Sequence, residues 1–158
     1  MIEIKKSNKA DTRTCNVDEV TLEEFVEDIK SHISDVKEGM DFFGRLIEHT
    51  SNRHDITKLT RQEWFYNDFK TKFQECGWYK MHQQEERHHF HNEDYIQDDV
   101  NLIDILEQIT DCVMAGMARS GEYRFDRLPE GLLEKAYENT VKLLLDNVRV
   151  VDWGVGGK

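Results

Sequence analysis

The pentad His54-Asp55-Ile56-Thr57-Lys58 puts an imidazole and a carboxylate on adjacent residues. Both can grip one divalent cation where the backbone turns sharply. Lys58 follows three residues after the aspartate, one turn further on if a helix continues. His32 lies upstream; His82, His88, His89, His91 and Asp111 lie downstream. Imidazole mixed with carboxylate suits hard-to-borderline cations. His32, His54-Asp55 and Asp111 fall on separate segments, and convergence of such ligands is how helical proteins build metal sites. Two imidazoles and two carboxylates leave positions open on a six-coordinate ion, and a water bound there has its pKa lowered. Lys58 could neutralise charge developing on a phosphoryl oxygen.

The elements that must carry these ligands read as helices. The chain has one proline, Pro129, and no Asn-Gly hairpin signal. Thr21 with Glu24 fits a capping box. From there Phe25, Ile29, His32, Ile33, Val36 and Met40 recur at helical steps, which places His32 on or beside an apolar, inward-facing stripe. Gly39 and Gly44 are expected to break this run, and Ser51-Asn52-Arg53 reads as a loop leading into His54. Thr60 with Glu63 forms a second capping box. It opens a helix whose stripe Trp64, Phe65, Phe69 and Phe73 reads as core, ended by Gly77. The tract 82–91 fits helix or loop equally. The best helix spans about Asp99 to Arg119 on its apolar periodicity, with Asp104 and Asp111 on one face. A last helix starts near Pro129.

Bulk composition bounds the chemistry. A chain of 158 residues is long enough for one domain with a real core. Charged residues at 34% against 38% hydrophobic suit helices with strongly solvated outer faces. The net charge of −11 argues against binding duplex nucleic acid, whose affinity rests on neutralised phosphates. It does not argue against a small phosphorylated substrate, because a bound cation is often the largest local charge. Cys15, Cys76 and Cys112 are scattered, with no CxxC pair. They read as reduced and cytosolic, with Cys112 in the core. No apolar run reaches membrane-spanning length, and no apolar stretch follows the first lysines as in a signal peptide.

Each candidate has an ordinary structural alternative. His32 fits a satisfied interior histidine, and Asp55 fits a helix cap. Asp111 fits a buried carboxylate with a hydrogen-bonding neighbour. Lys58 fits a solvated surface lysine, and His82, His88 and His89 a polar surface tract. Arg119, Arg124 and Arg127 read as a solvated cluster rather than a phosphate grip. Other metal chemistries fit less well. There is no HExxH. Glu85-x-x-His88 and Glu86-x-x-His89 lack the second Glu-x-x-His motif of a di-iron bundle.

The order His32…His54-Asp55…Asp111 resembles the HD superfamily of metal-dependent phosphohydrolases. The pentad is similar to the HD-x-x-K signature of its cyclic-dinucleotide phosphodiesterase branch. In that branch, further histidines between the HD pair and the last aspartate hold a second metal, and His82 and His88-His89 resemble them. The layout over about residues 25–120 is also similar to uncharacterised HD-like phage proteins, in which W-x-x-H precedes a histidine pair. Here Trp78-Tyr79-Lys80-Met81-His82 is one residue longer.

The resemblance implies an all-α fold, a single-domain HD-like helical bundle. The domain would span 21–150; composition, not the resemblance, marks polar residues 1–20 as a flexible N-terminal segment and glycine-rich 151–158 as a flexible tail, where Trp153 docks or frays. The resemblance implies a metal-dependent phosphohydrolase that acts on a nucleotide or other small phosphoester through a metal-activated water. One or two divalent ions (Mn, Fe, Ni, Co or Mg) would be held by His32, His54, Asp55 and Asp111. His82 and His88 or His89 would complete a second site or contact phosphate. Asp55 and Lys58 would be the catalytic residues. The setting would be cytoplasmic, that of the host if the chain is phage-encoded. One departure supports a second reading. The phosphodiesterase branch has Gly-Tyr-Pro after its paired histidines, whereas this chain reads Phe90-His91-Asn92-Glu93-Asp94-Tyr95. A non-catalytic HD-like module that binds a nucleotide signal or a host factor is the alternative.

Overall fold

The structure, a computed structural model, describes residues 1–7, 10–123 and 127–151. Arg124 and the tail from Trp153 lie outside the described residues. The chain is mostly helical and divides into two compact units, Met1–Arg45 with Leu143–Lys158, and Leu46–Lys142. No helix among the described residues is long and apolar enough to cross a membrane.

In the first unit, residues 2–5 are a strand rather than loosely held chain. β1 (Ile2–Lys5) pairs in parallel with β2 (Val148–Val151), Ile2 opposite Val148 and Lys5 opposite Val151. Ile2-Glu3-Ile4-Lys5 alternates with period two, and Ile2 is buried. The long helix α1 (Leu22–Arg53) starts in this unit. Its N-terminus is capped as expected: the Thr21 hydroxyl accepts from the Glu24 N–H at 3.2 Å, and the Glu24 carboxylate accepts from the Thr21 N–H at 3.2 Å. Gly39 and Gly44 do not break it, and residues 51–53 are its last turn rather than a loop. A glycine costs only about 1 kcal/mol in a helix, less than a 32-residue ladder tolerates. No residue of α1 is buried. His32, expected to face inward, is exposed. An apolar stripe is buried only where something covers it, and here Ile33 and Met40 are exposed as well.

The second unit holds the end of α1, then α2 (Ile56–Thr60), α3 (Gln62–Lys70), α4 (Trp78–Glu85), α5 (Leu102–Ser120) and most of α6 (Leu132–Leu145). Its core is Phe90, Val100, Ile105, Leu132 and Ala136. The Thr60 hydroxyl bonds back to the Ile56 carbonyl at 3.0 Å, so Thr60 ends α2 and does not cap α3. The aromatic stripe of α3 is not core: Trp64, Phe69 and Phe73 are exposed. Asp68 on this helix is fully buried instead. Its carboxylate accepts from the N–H groups of Cys76 at 3.0 Å and Tyr79 at 2.9 Å. It thereby ties down the loop after α3 and caps α4 from outside that helix. Burial opposes the charge on Asp68, but these N–H donors hold its pKa below the usual carboxylate range. Gly77, φ 72°, opens α4 rather than ending α3.

α5 begins at a capping box between Asn101 and Asp104. The Asp104 carboxylate also takes a two-pronged grip from Arg87, at 2.8 and 2.9 Å. Arg87 precedes His88-His89, so this grip ties the histidine pair to the start of α5. α6 starts three residues after Pro129, and its Thr140 hydroxyl accepts from the Leu102 N–H at 2.9 Å. Cys112 is half-buried rather than core, and the three cysteines form no disulfide.

Candidate metal centre

The sharp turn that the His-Asp pair requires is present. α1 ends at Arg53, and Asp55 has left-handed backbone angles, φ 57° and ψ 24°. A non-glycine residue pays for that conformation, and such residues cluster at functional sites. Asp55 occupies the cap position of α2 but makes no side-chain cap bond. Its carboxylate turns instead toward the histidines.

Among the described residues, two ligand-bearing groups lie side by side in the second unit. His54, His88 and Asp111 form one; Asp55, His82 and His89 form the other. Asp55 stands between them. Its Oδ2 is 3.4 Å from His54 Nε2, and its Oδ1 is 3.3 Å from His82 Nε2 and 3.8 Å from His88 Nε2. Asp111 Oδ1 is 3.6 Å from His54 Nε2. The structure therefore brings together six of the seven expected ligands. His32 belongs to the first unit and to neither group.

The histidine tautomers follow from their outer partners. Glu107 Oε1 accepts from His54 Nδ1 at 2.9 Å and lies 3.2 Å from His88 Nδ1. The Thr57 hydroxyl has one proton, which it donates to Glu86 Oε1 at 2.7 Å. It can then only accept from His82 Nδ1, also at 2.7 Å. His54 and His82 thus keep their Nδ1 protons, and His88 has the same carboxylate beside its Nδ1. Their Nε2 lone pairs are left for the centre, the orientation that metal-binding histidines take from such partners. Neither Glu107 nor Thr57 is among the candidates that residue type and spacing single out. Glu107 lies one turn before Asp111 and three residues after Asp104, a spacing that could have found it. Thr57 sits inside the pentad and gave no signal.

Electrostatics and unmet hydrogen bonds both favour a cation. Asp55, Glu107 and Asp111 gather their carboxylates around the histidines, with Lys58 ion-paired to Asp55 Oδ2. Burial opposes a charge on His88, yet Glu107, Asp55 and Asp111 raise its pKa above the usual histidine value. Burial likewise opposes ionisation of Asp55 and Glu107. Lys58, with His54 and His82, outweighs it for Asp55, and His88 and His54 outweigh it for Glu107, so both pKa values are lowered. Burial keeps His82 and His89 neutral, with pKa values near 4 and 3. Two buried atoms facing the centre, Asp55 Oδ1 and His88 Nε2, have no hydrogen-bond partner among the described residues. Leaving each unmet costs about 1–3 kcal/mol, which a cation between them removes. These residues fit a divalent ion. Glu85 pairs with Arg61 at 2.8 Å and Glu86 with Thr57, so neither supplies the di-iron carboxylates considered above.

The centre opens into a cleft of about 960 Å³. Lys58, Lys72 and Arg119 bring positive charge to its walls, and Phe65, Phe73, Trp78 and Tyr79 bring aromatic surface. Lys72 and Phe73 are consecutive left-handed residues, φ 58° and 64°, on the loop that Asp68 fastens. Arg127 is exposed.

No family model matches this chain, and no curated protein and no solved structure matches it.

Proposed function

We propose that the second unit is an HD-like helical domain and that the chain is a metal-dependent phosphohydrolase acting on a nucleotide or other small phosphoester. The observation that carries this reading is the placing of Asp55 between the two ligand groups, its buried Oδ1 without a partner. His54, His88 and Asp111 would hold one divalent ion and His82 and His89 a second, with Asp55 shared. Such an ion supplies Lewis acidity and lowers the pKa of bound water. Glu107 and Thr57 keep the Nε2 atoms aimed inward. Lys58, Lys72 and Arg119 offset phosphoryl charge, and the aromatic wall offers a face for a base or another flat group. Asp55 and Lys58 remain the residues closest to the chemistry. The imidazole–carboxylate set fits Mn, Fe, Co, Ni or Mg.

The test is metal analysis of the purified chain followed by a screen of nucleoside phosphates with each divalent ion. Turnover that disappears, together with bound metal, in Asp55→Ala supports the reading. Absence of turnover with every ion, with metal content unchanged in Asp55→Ala, overturns it.

A second reading is favoured by the Lys58–Asp55 ion pair, in which an ammonium rests on the carboxylate that two ions would share. In that reading the cleft binds a nucleotide without converting it. Calorimetry followed by chromatography of the same sample separates the two: binding without product favours the module.

A further inference from the structure

We propose that α1 is a coiled-coil strand that joins this chain to a second copy of itself. Leu22, Val26, Ile29, Ile33, Val36, Met40 and Phe43 follow one another at alternating steps of four and three, and Ile47 takes the next step. The mean step of 3.5 residues is the heptad period. A stripe facing an ordinary core follows 3.6 and drifts around the helix. In heptad terms Val26, Ile33, Met40 and Ile47 occupy a, while Leu22, Ile29, Val36 and Phe43 occupy d. Three of these four a residues are β-branched, and Leu22 and Phe43 interrupt the β-branched residues at d. That mixture suits two strands better than the uniform isoleucine of three-stranded coils. Glu23, Lys30 and Lys37 flank the seam at e on one side, and Phe25, His32, Gly39 and Leu46 flank it at g on the other.

The seam is open along the helix. Leu22 is 78% exposed, Met40 65%, Ile33 61% and Val36 51%. From Leu22 to Phe43 it runs about 32 Å at 1.5 Å per residue, a longer apolar strip than monomers commonly leave in water. Length selects the occupant. A heptad seam is filled by a helix of the same period and reach. Among the described helices, α5 has 19 residues and α6 has 14, against 32 in α1. A second α1 matches in both respects. A stable interface needs on the order of 800 Å² per partner, and seven seam residues that are 36–78% exposed, Leu22, Val26, Ile29, Ile33, Val36, Met40 and Ile47, offer apolar surface toward it.

The experiment is sedimentation of the full chain up to submillimolar concentration. It includes a double variant, Ile33→Lys with Met40→Lys, and a control, Glu38→Lys, which adds the same charge away from the seam. The expected result is twice the 18.7 kDa chain mass for the unaltered protein and the control, and the single mass for the double variant with its helical circular dichroism retained. A monomeric unaltered chain, an assembly of three or more, or a dimer that survives both substitutions overturns the proposal. If the double variant loses helix signal, amide exchange of the unaltered chain decides. Protection over residues 22–47 that rises with concentration supports the seam, and concentration-independent protection overturns it.

Discussion

Nε2 of His82 faces Nε2 of His89 at 2.9 Å. The Thr57 hydroxyl accepts from the Nδ1–H of His82, so the Nε2 of the neutral ring carries a lone pair. Two such lone pairs at this distance repel unless a proton or a cation lies between them. Without metal, the Nε2 proton of His89 serves. With metal, that proton must leave.

The pH dependence of the metal-free fold follows from this pair. The folded pKa values, near 4 for His82 and near 3 for His89, lie below the unfolded value of about 6.5. The unfolded chain takes up these protons first as pH falls. Stability is therefore fully present above about pH 6.5 and lost progressively toward pH 4, by up to about 1.4 kcal/mol per pH unit for each histidine. His88 has the opposite sign: its raised pKa adds stability below about pH 6.5 that is lost as pH rises through the folded value. Urea unfolding of chelator-treated protein across pH 4–8 checks this. A flat profile between pH 4 and 6.5 would count against the buried, neutral pair.

Glu107→Ala removes the carboxylate that accepts from His54 Nδ1 and lies 3.2 Å from His88 Nδ1. Divalent-ion affinity should fall about 10- to 100-fold, because the rings lose their fixed orientation. Glu107→Gln, which still offers one carbonyl oxygen, should lose less. Isothermal titration with Mn²⁺ measures both, and equal affinity in all three proteins would remove Glu107 from the site.

Arg87→Ala strips the guanidinium from Asp104, whose side chain is only 5% exposed. Stability should fall by about 2 kcal/mol, as expected when a buried carboxylate loses its partner at a partly open edge. Metal affinity should fall with it, because His88-His89 lose their tie to α5. Arg87→Lys should not restore either, since an ammonium lacks the two-pronged fork. Thermal unfolding and the same titration report the two effects.

Two kinds of glycine should respond in opposite directions. A Cβ on Gly116 would stand 2.6 Å from the Glu122 carbonyl oxygen, so Gly116→Ala should force the turn after α5 outward at a cost of about 1–3 kcal/mol. Gly39 and Gly44 have nothing within 4 Å of a built Cβ. Alanine at either should stabilise α1 by about 1 kcal/mol. Calorimetric melting temperatures distinguish these cases.

Much of the candidate site was legible because its ligands come from short, chemically unusual tracts. His54-Asp55 and His82…His88-His89 stand out in any sequence, and Asp111 interrupts an apolar helix. His32 departs from expectation because its apolar stripe is no core face: its neighbours Ile33 and Val36 are exposed and keep a heptad period. The helix boundaries failed where one residue can serve two turns. Thr60 bonds back into α2, and Gly77 opens α4. β1 was hidden by its length of four residues and by a partner strand at the far end of the chain. Asp68 could not be found from sequence, since its N–H partners eight and eleven residues away exist only once the loop has closed.

Anomalous diffraction from crystals grown with Mn²⁺ tests directly whether two ions share Asp55, as proposed above. The expected result is two anomalous peaks, one among His54, His88 and Asp111 and one between His82 and His89, with the Asp55 carboxylate touching both. Peaks elsewhere on the acidic surface with none beside Asp55 would contradict it.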